Sequence, residues 1–152
     1  MLETIVAIGL VTMGLVSALA LITNSLFYVS SIQDRLIAVN LAAEGIEVVR
    51  NIRDNNWLQN KAWNDGLTTD GDYQVAYDSV SLASYGGGPL FLDSNGLYNY
   101  VTTAPNTATL YKRKISIANL SNYEIRVISE VSWQRKKDNY SSSTEDHLFN
   151  WR

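Results

Sequence analysis

The chain has no cysteine among its 152 residues, only two prolines and a single histidine. The missing cysteines exclude disulfides, thiolate metal sites and a cysteine nucleophile, and leave the redox compartment open. The lone histidine, His147, stands beside Asp146 and Glu145, but no nucleophile motif accompanies it, and a general base needs an oriented neighbour. Catalysis is therefore not expected, and no cofactor is. Twelve Lys and Arg against fifteen Asp and Glu give a net charge of −3, with no basic stripe. Nucleic acid is thereby excluded as a main partner. The most telling shortage is local. From Met1 to Ser31 the only charged side chain is Glu3.

Against that lack of charge stands a long apolar run. A membrane-spanning helix needs about 20 mostly apolar residues, and Leu2 to Val29 exceeds that. Thr4, Thr12, Ser17 and Thr23 are tolerated there, because their hydroxyls can return to backbone carbonyls. The stretch has neither the basic leading region nor the small-residue cleavage site of an intact signal peptide. It begins apolar, as a chain does once a basic leader has been removed. A plain membrane anchor accounts for the hydropathy equally well.

Two features ask for more than an anchor. A carboxylate within a bilayer costs roughly 2.5–3.5 kcal/mol, which the helix dipole offsets near an N-terminus by only ~0.3–1 kcal/mol. Glu3 needs a cation, yet the nearest in sequence is Arg35, about 45 Å away at the helical rise. An α-amino group remains, from this chain or from a neighbour. The second feature is the small-xxx-small pair Gly14 and Ala18, with Gly9 and Ser17 nearby, which would let helices approach closely. The same glycines are also ordinary membrane-helix composition.

The helical period continues past the span. Ser31 to Trp57 has no proline and one glycine, Gly45. Ile32, Leu36, Val39, Ala43, Ile46, Val49 and Ile52 or Arg53 recur at three- and four-residue steps, with Gln33, Asp34, Asn40, Glu44, Glu47 and Arg50 largely off the stripe. One helix is expected from Met1 to about Leu58, ~85 Å long. Its outer half should lie on a small domain, and its inner half in lipid or against other copies.

The remainder reads as β-rich. Asn55 to Gly66 is punctuated by Asn, Asp and Gly, a helix end and loop. Strand alternation runs over Asp72–Tyr77, Leu110–Ile117 and Tyr123–Trp133. Leu90–Leu92 and Leu97–Tyr100 flank the turn Asp93-Ser94-Asn95-Gly96, and His147–Trp151 reads as a short closing strand. Helix first and strands after give the expected class: α+β, one long N-terminal helix packed on an antiparallel sheet head. The expected domains are a span over 1–31, an amphipathic continuation over 32–58 and a head over 59–152. Asp93-Ser94-Asn95-Gly96 is half a calcium loop without the later glutamate and reads as a turn, as do Asp70 and Asp72 around Gly71. Gly86-Gly87-Gly88-Pro89 lacks the strand and helix that frame a phosphate cradle. Ser141-Ser142-Ser143-Thr144 reads as an exposed turn, and Trp57, Trp63, Trp133 and Trp151 as core or rim aromatics.

On these residues the chain resembles the type IV pilins and pseudopilins. Met1-Leu2-Glu3-Thr4-Ile5-Val6-Ala7-Ile8 looks like the start of a processed pilin. Ala42-Ala43-Glu44-Gly45-Ile46-Glu47-Val48-Val49-Arg50 is similar to the helix end of many bacterial members, and Val131-Ser132-Trp133 with His147–Trp151 to their last strands. The chain departs from the pattern in three ways. Only two residues precede the glutamate where members have four, the mid-helix proline is absent, and so is the cysteine pair that brackets the C-terminal loop.

The resemblance implies a subunit that polymerises through its N-terminal helix into a pilus-like filament, serving adhesion, motility or DNA uptake. It implies copies of itself as partners, with membrane lipid before assembly, a prepilin peptidase and a pilus assembly machinery. It also implies a passage from the cytoplasmic membrane to the cell surface. Glu3 would pair with the amine of Met1 on a neighbour, and Gly9, Gly14 and Ala18 would line the packed core. Within the class, a major pilin, a minor pilin and a secretion pseudopilin stay open. Outside it stands a monomeric anchored protein with a binding head, for which a carboxylate at that depth has little use.

Overall fold

A computed structural model describes residues 1–151; Arg152, the last residue of the expected head, lies outside the described residues. The element order is one helix followed by strands. Helix α1 runs Leu2–Leu58, 57 residues without a break. The strands are β1 (Gly71–Gln74), β2 (Ala83–Ser84), β3 (Phe91–Leu92), β4 (Tyr98–Asn99), β5 (Thr107–Ala108), β6 (Tyr111–Ser121), β7 (Glu124–Arg135) and β8 (Asp138–Phe149). The class is α+β, with α1 packed against an antiparallel sheet. The chain resolves into two compact units, Met1–Leu36 and Ile37 onward.

In the second unit the sheet order is β2-β1-β6-β7-β8, every pairing antiparallel. A small three-stranded sheet, β4-β3-β5, lies in the long connection between β2 and β6. Period-2 alternation decides which face of the main sheet is buried. On β6 the inward row is Tyr111, Arg113, Ile115 and Ile117; on β7 it is Ile125, Val127, Ser129, Val131 and Trp133. Against these rows α1 places Ala38, Leu41, Ala42, Gly45, Ile46, Val49 and Ile52. One apolar cluster gathers Ala38, Leu41, Leu90, Tyr111, Val131 and Trp133, and a second gathers Ile46, Val49, Ile52, Trp63, Leu67, Ile115, Val127 and Leu148.

Between the two clusters the helix comes closest to the sheet. A Cβ at Gly45 would stand 2.5 Å from Ser129 Oγ, 2.8 Å from Ile115 Cδ1 and 3.2 Å from Arg113 Cδ. Only glycine fits, and the small Ser129 sits where a larger side chain would push the helix away. The fully buried Arg113 guanidinium fastens this waist. Its Nη1 donates to Leu41 O at 2.9 Å and to Glu44 Oε1 at 2.8 Å, both on α1, and its Nη2 donates to Val75 O beyond β1. One side chain thus joins helix, β6 and the segment after β1 by charge-assisted bonds, which are roughly twice as strong as neutral ones.

Two expectations need correction. The stripe read as the helix's packing face divides. Ile46, Val49 and Ile52 are buried, but Ile32, Leu36, Val39 and Ala43 are exposed, and the head is met instead by Ala38, Leu41, Ala42 and Gly45. Periodicity finds a face but not the partner, and the sheet takes the face whose small residues permit close approach. Second, Ser141–Thr144 is no turn. It lies within β8, each residue opposite one of β7, from Ser141 against Ser132 to Thr144 against Ser129. The expected short closing strand is the end of this twelve-residue edge strand. A strand at an edge needs no apolar alternation when its outer side meets water, so the serine run hid it. The turn is instead at Lys136, whose φ of 56° is left-handed.

Candidate functional site

Every residue of α1 from Leu2 to Val29 is exposed, and the helix is long and apolar enough to cross a membrane. Four hydroxyl side chains of this stretch bond locally. Thr4 Oγ1 donates to Met1 O at 2.7 Å, Thr12 Oγ1 to Gly9 O at 2.9 Å, Ser17 Oγ to Met13 O at 2.8 Å and Thr23 Oγ1 to Ala20 O at 2.9 Å. Each hydroxyl is thereby satisfied within its own helix, which is the form a hydroxyl takes in a segment with no water beside it.

Of the candidate assembly residues, Glu3 lies in the first helical turn with Met1 just before it. Negative charge in this position is favoured by the helix dipole. No described ion pair includes Glu3. Gly14 and Ala18 stand one turn apart on one face, and a Cβ at either Gly9 or Gly14 would meet nothing within 4 Å. Glu3 thus follows Met1 by two residues, in the first helical turn. Gly9, Gly14 and Ala18 are left as open notches in the helix surface.

In the head, the histidine and the short acidic motifs are held in local hydrogen bonds. The histidine lies on the solvent face of the sheet, with Nδ1 2.7 Å from Glu124 Oε1 and Nε2 3.2 Å from Glu145 Oε1. The hydrogen bond with Glu124, then that with Glu145, raises the pKa of His147. Both ring nitrogens thus face carboxylates. The two short acidic motifs are absorbed by local structure. Asp93 Oδ1 accepts from the N–H groups of Asn95 at 2.8 Å and Leu97 at 2.9 Å, closing the turn whose Gly96 has φ of 80°. Asp70 Oδ1 accepts from Asn119 N and Nδ2, both at 2.8 Å, and these bonds hold its carboxyl below the usual range. Among the described residues no group of three or more His, Cys, Asp or Glu gathers as a metal site would.

What the sequence reading missed is the clamp between helix and edge strand. Arg50 Nε donates to Asp146 Oδ2 at 2.9 Å, and Arg50 also pairs with Glu47 one turn earlier. Hydrogen bonding from Arg50 lowers the pKa of Asp146. The signal was present in period 2, since Asp146 falls in line with the inward Leu148, but a carboxylate there pointed to no partner from sequence alone. The chain matches no protein-family model, no curated protein and no solved structure.

Proposed function

We propose that this protein is a structural subunit that polymerises through the first half of α1 into a type IV pilus-like filament. The observation that carries the reading is the division of one helix into two surfaces. Its second half buries one face on the head, whereas its first is wholly exposed, apolar and marked by a single carboxylate at Glu3. Such a surface needs lipid before assembly and like helices after it. Apolar helices packed side by side can slide, since lipid and neighbour are equally apolar. A carboxylate that finds the Met1 amine of the next copy fixes axial register and adds a charge-assisted bond in a medium of low dielectric.

The test is Glu3→Gln, which keeps shape and removes charge. The variant should reach the membrane at parental abundance, with an unchanged melting temperature of the head, and give few or no filaments in sheared surface material viewed by negative-stain microscopy. Glu3→Ala should behave alike, because the loss is of charge and not of volume. Parental filament yield from both variants would sink the assembly contact and leave an anchored monomer with an exposed head.

A further inference from the structure

Charge is unevenly spread along the long strands of the head. At one end Tyr111 and Trp133 share an apolar cluster with Ala38 and Leu41. Two residues after Trp133, β7 ends at Arg135, and Lys136 and Lys137 turn the chain into β8. Lys112 follows Tyr111 on β6, opposite Ser132. Lys112, Lys136 and Lys137 are all exposed. The carboxylate of this turn is Asp138, opposite Arg135, and Asp93 on the turn between β3 and β4 accepts from two amides of its own turn. Lys114, one step further along β6, is matched by Glu130 at 3.3 Å and Asp72 at 3.8 Å. The far end of β7 and β8 carries Glu124, Glu145 and Asp146 with Arg126 and His147. The turn end is therefore the basic one.

Beside Lys112 lies a cavity of about 440 Å³. Lys112, Ser132, Gln134 and Asn139 give it one ammonium and three neutral hydrogen-bonding groups, and Leu110 and Tyr140 give it apolar area. Tyr140 is held by stacking on Trp133, with ring centroids 5.7 Å apart. An ammonium beside neutral donors suits a single negative charge that carries hydroxyl groups. Lysine and tyrosine together are also what protein surfaces place at headgroup depth, where the aromatic ring sits among the polar groups and the cation meets anionic lipid.

The basic end is the end tethered closest to the span. Ala38 follows Val29, the last residue of the apolar run, by nine residues, which cannot reach further than about 30 Å even fully extended. That bound holds at any angle between the two units. The acidic end packs instead with Ile52, in the cluster that holds Ile125 and Leu148. Ile52 lies fourteen residues beyond Ala38, about 21 Å further along α1.

We infer that the end of the head bearing Lys112 and Lys137 binds the headgroups of anionic phospholipid in the membrane that holds α1, with one phosphodiester lying against Lys112 in the cavity. The inference rests on the membrane-bound stage of the proposed function and is independent of filament assembly. The span fixes depth through hydrocarbon, whereas this contact draws the head onto the bilayer through charge. It is screened by salt and follows the lipid's charge.

The test uses the full chain reconstituted in vesicles of phosphatidylcholine, alone or mixed with phosphatidylglycerol. Because the chain has no cysteine, Ser141→Cys at the basic end and Ser121→Cys at the far end each carry one fluorescent dye, read by its quenching from headgroup spin-labelled lipid. At position 141 quenching should rise several-fold when phosphatidylglycerol is present and fall back in molar salt, where the Debye length is about 3 Å. At position 121 it should not change. Lys112→Gln with Lys137→Gln should return position 141 to the phosphatidylcholine level while the head's melting temperature holds, since both side chains are exposed. Equal quenching at 141 in both lipids, an equal rise at 121, or a rise that survives the double substitution overturns the inference, and the reading of α1 as a span stands. A chain that does not float with the vesicles at all removes the span and the inference together.

Discussion

Residues 2–29 and 38–56 belong to one unbroken helix, yet they obey different rules. In the second stretch the fold fixes one face: a Cβ at Gly45 would stand 2.5 Å from Ser129 Oγ and 2.8 Å from Ile115 Cδ1, and Leu41 and Val49 are buried by the sheet. In the first, Gly9 and Gly14 meet nothing within 4 Å, and every side chain is exposed. The same residue type is thus a requirement in one half and an open notch in the other. The difference teaches that helical propensity builds both halves, but only the second is fixed by contacts inside the chain. The first is completed by whatever surrounds it.

That comparison breaks most sharply at Arg113. Arg113→Ala removes the guanidinium that donates to Leu41 O, Glu44 and Val75 O, taking from the half-buried Glu44 its cation and from Val75 O its donor. Breaking one partner of a buried charged network costs about 3–5 kcal/mol, so thermal or urea unfolding of the head should show a large loss. Replacement by Met, which keeps volume, should recover part of it. A loss below about 1 kcal/mol, the median for surface ion pairs, would show that the waist is held by packing alone.

The paired glycine substitutions come next. Gly45→Ala puts a methyl into Ser129, Ile115 and Arg113, and overpacking of this kind costs about 1–3 kcal/mol. Gly14→Ala should leave the head's unfolding midpoint unchanged, and locally it favours helix by up to ~1 kcal/mol. Equal effects of the two on head stability would erase the distinction between the halves.

The smallest effect concerns the clamp at Arg50 and Asp146. Because Arg50 lowers the pKa of Asp146, the pair's contribution is fully present above the ordinary carboxyl value, about 3.9, and is lost as pH falls through the lower folded value. Arg50→Gln should therefore cost up to ~1 kcal/mol at neutral pH, a modest figure because the Arg50 side chain is partly exposed. The gap between parent and variant should close below about pH 4. Urea titrations at neutral pH and near pH 3 decide this. A gap that persists unchanged in acid would assign the effect to packing of the Arg50 stem rather than to charge.

Much of this architecture was legible in the residues. The apolar run, its lone carboxylate and the missing helix breakers gave the 57-residue helix, because local periodicity suffices when nothing interrupts it. The alternation over Leu110–Ile117 and Tyr123–Trp133 was equally readable, and β6 and β7 follow it, with Arg113 and Ser129 buried in phase with their apolar neighbours. The length of β8 was not, because an edge strand satisfied by water on one side carries no apolar code. The candidate assembly residues were visible as departures from composition, a charge at Glu3 and notches at Gly9 and Gly14.

By itself, then, the sequence determined the elements, their order and the contrast between an apolar first half and a mixed remainder. These follow from short-range periodicity and from the cost of placing charge or proline where they do not belong. Only the tertiary structure decided which side of α1 meets the head. The sheet could approach to the distance set by Gly45 and Ser129 only on the side bearing Ala38, Ala42 and Gly45. That choice turned Ile32, Leu36, Val39 and Ala43 outward. Hydropathy did not choose between the two faces of this helix, since the larger apolar side chains lie on the exposed one; the choice was made by which face a neighbouring surface fits.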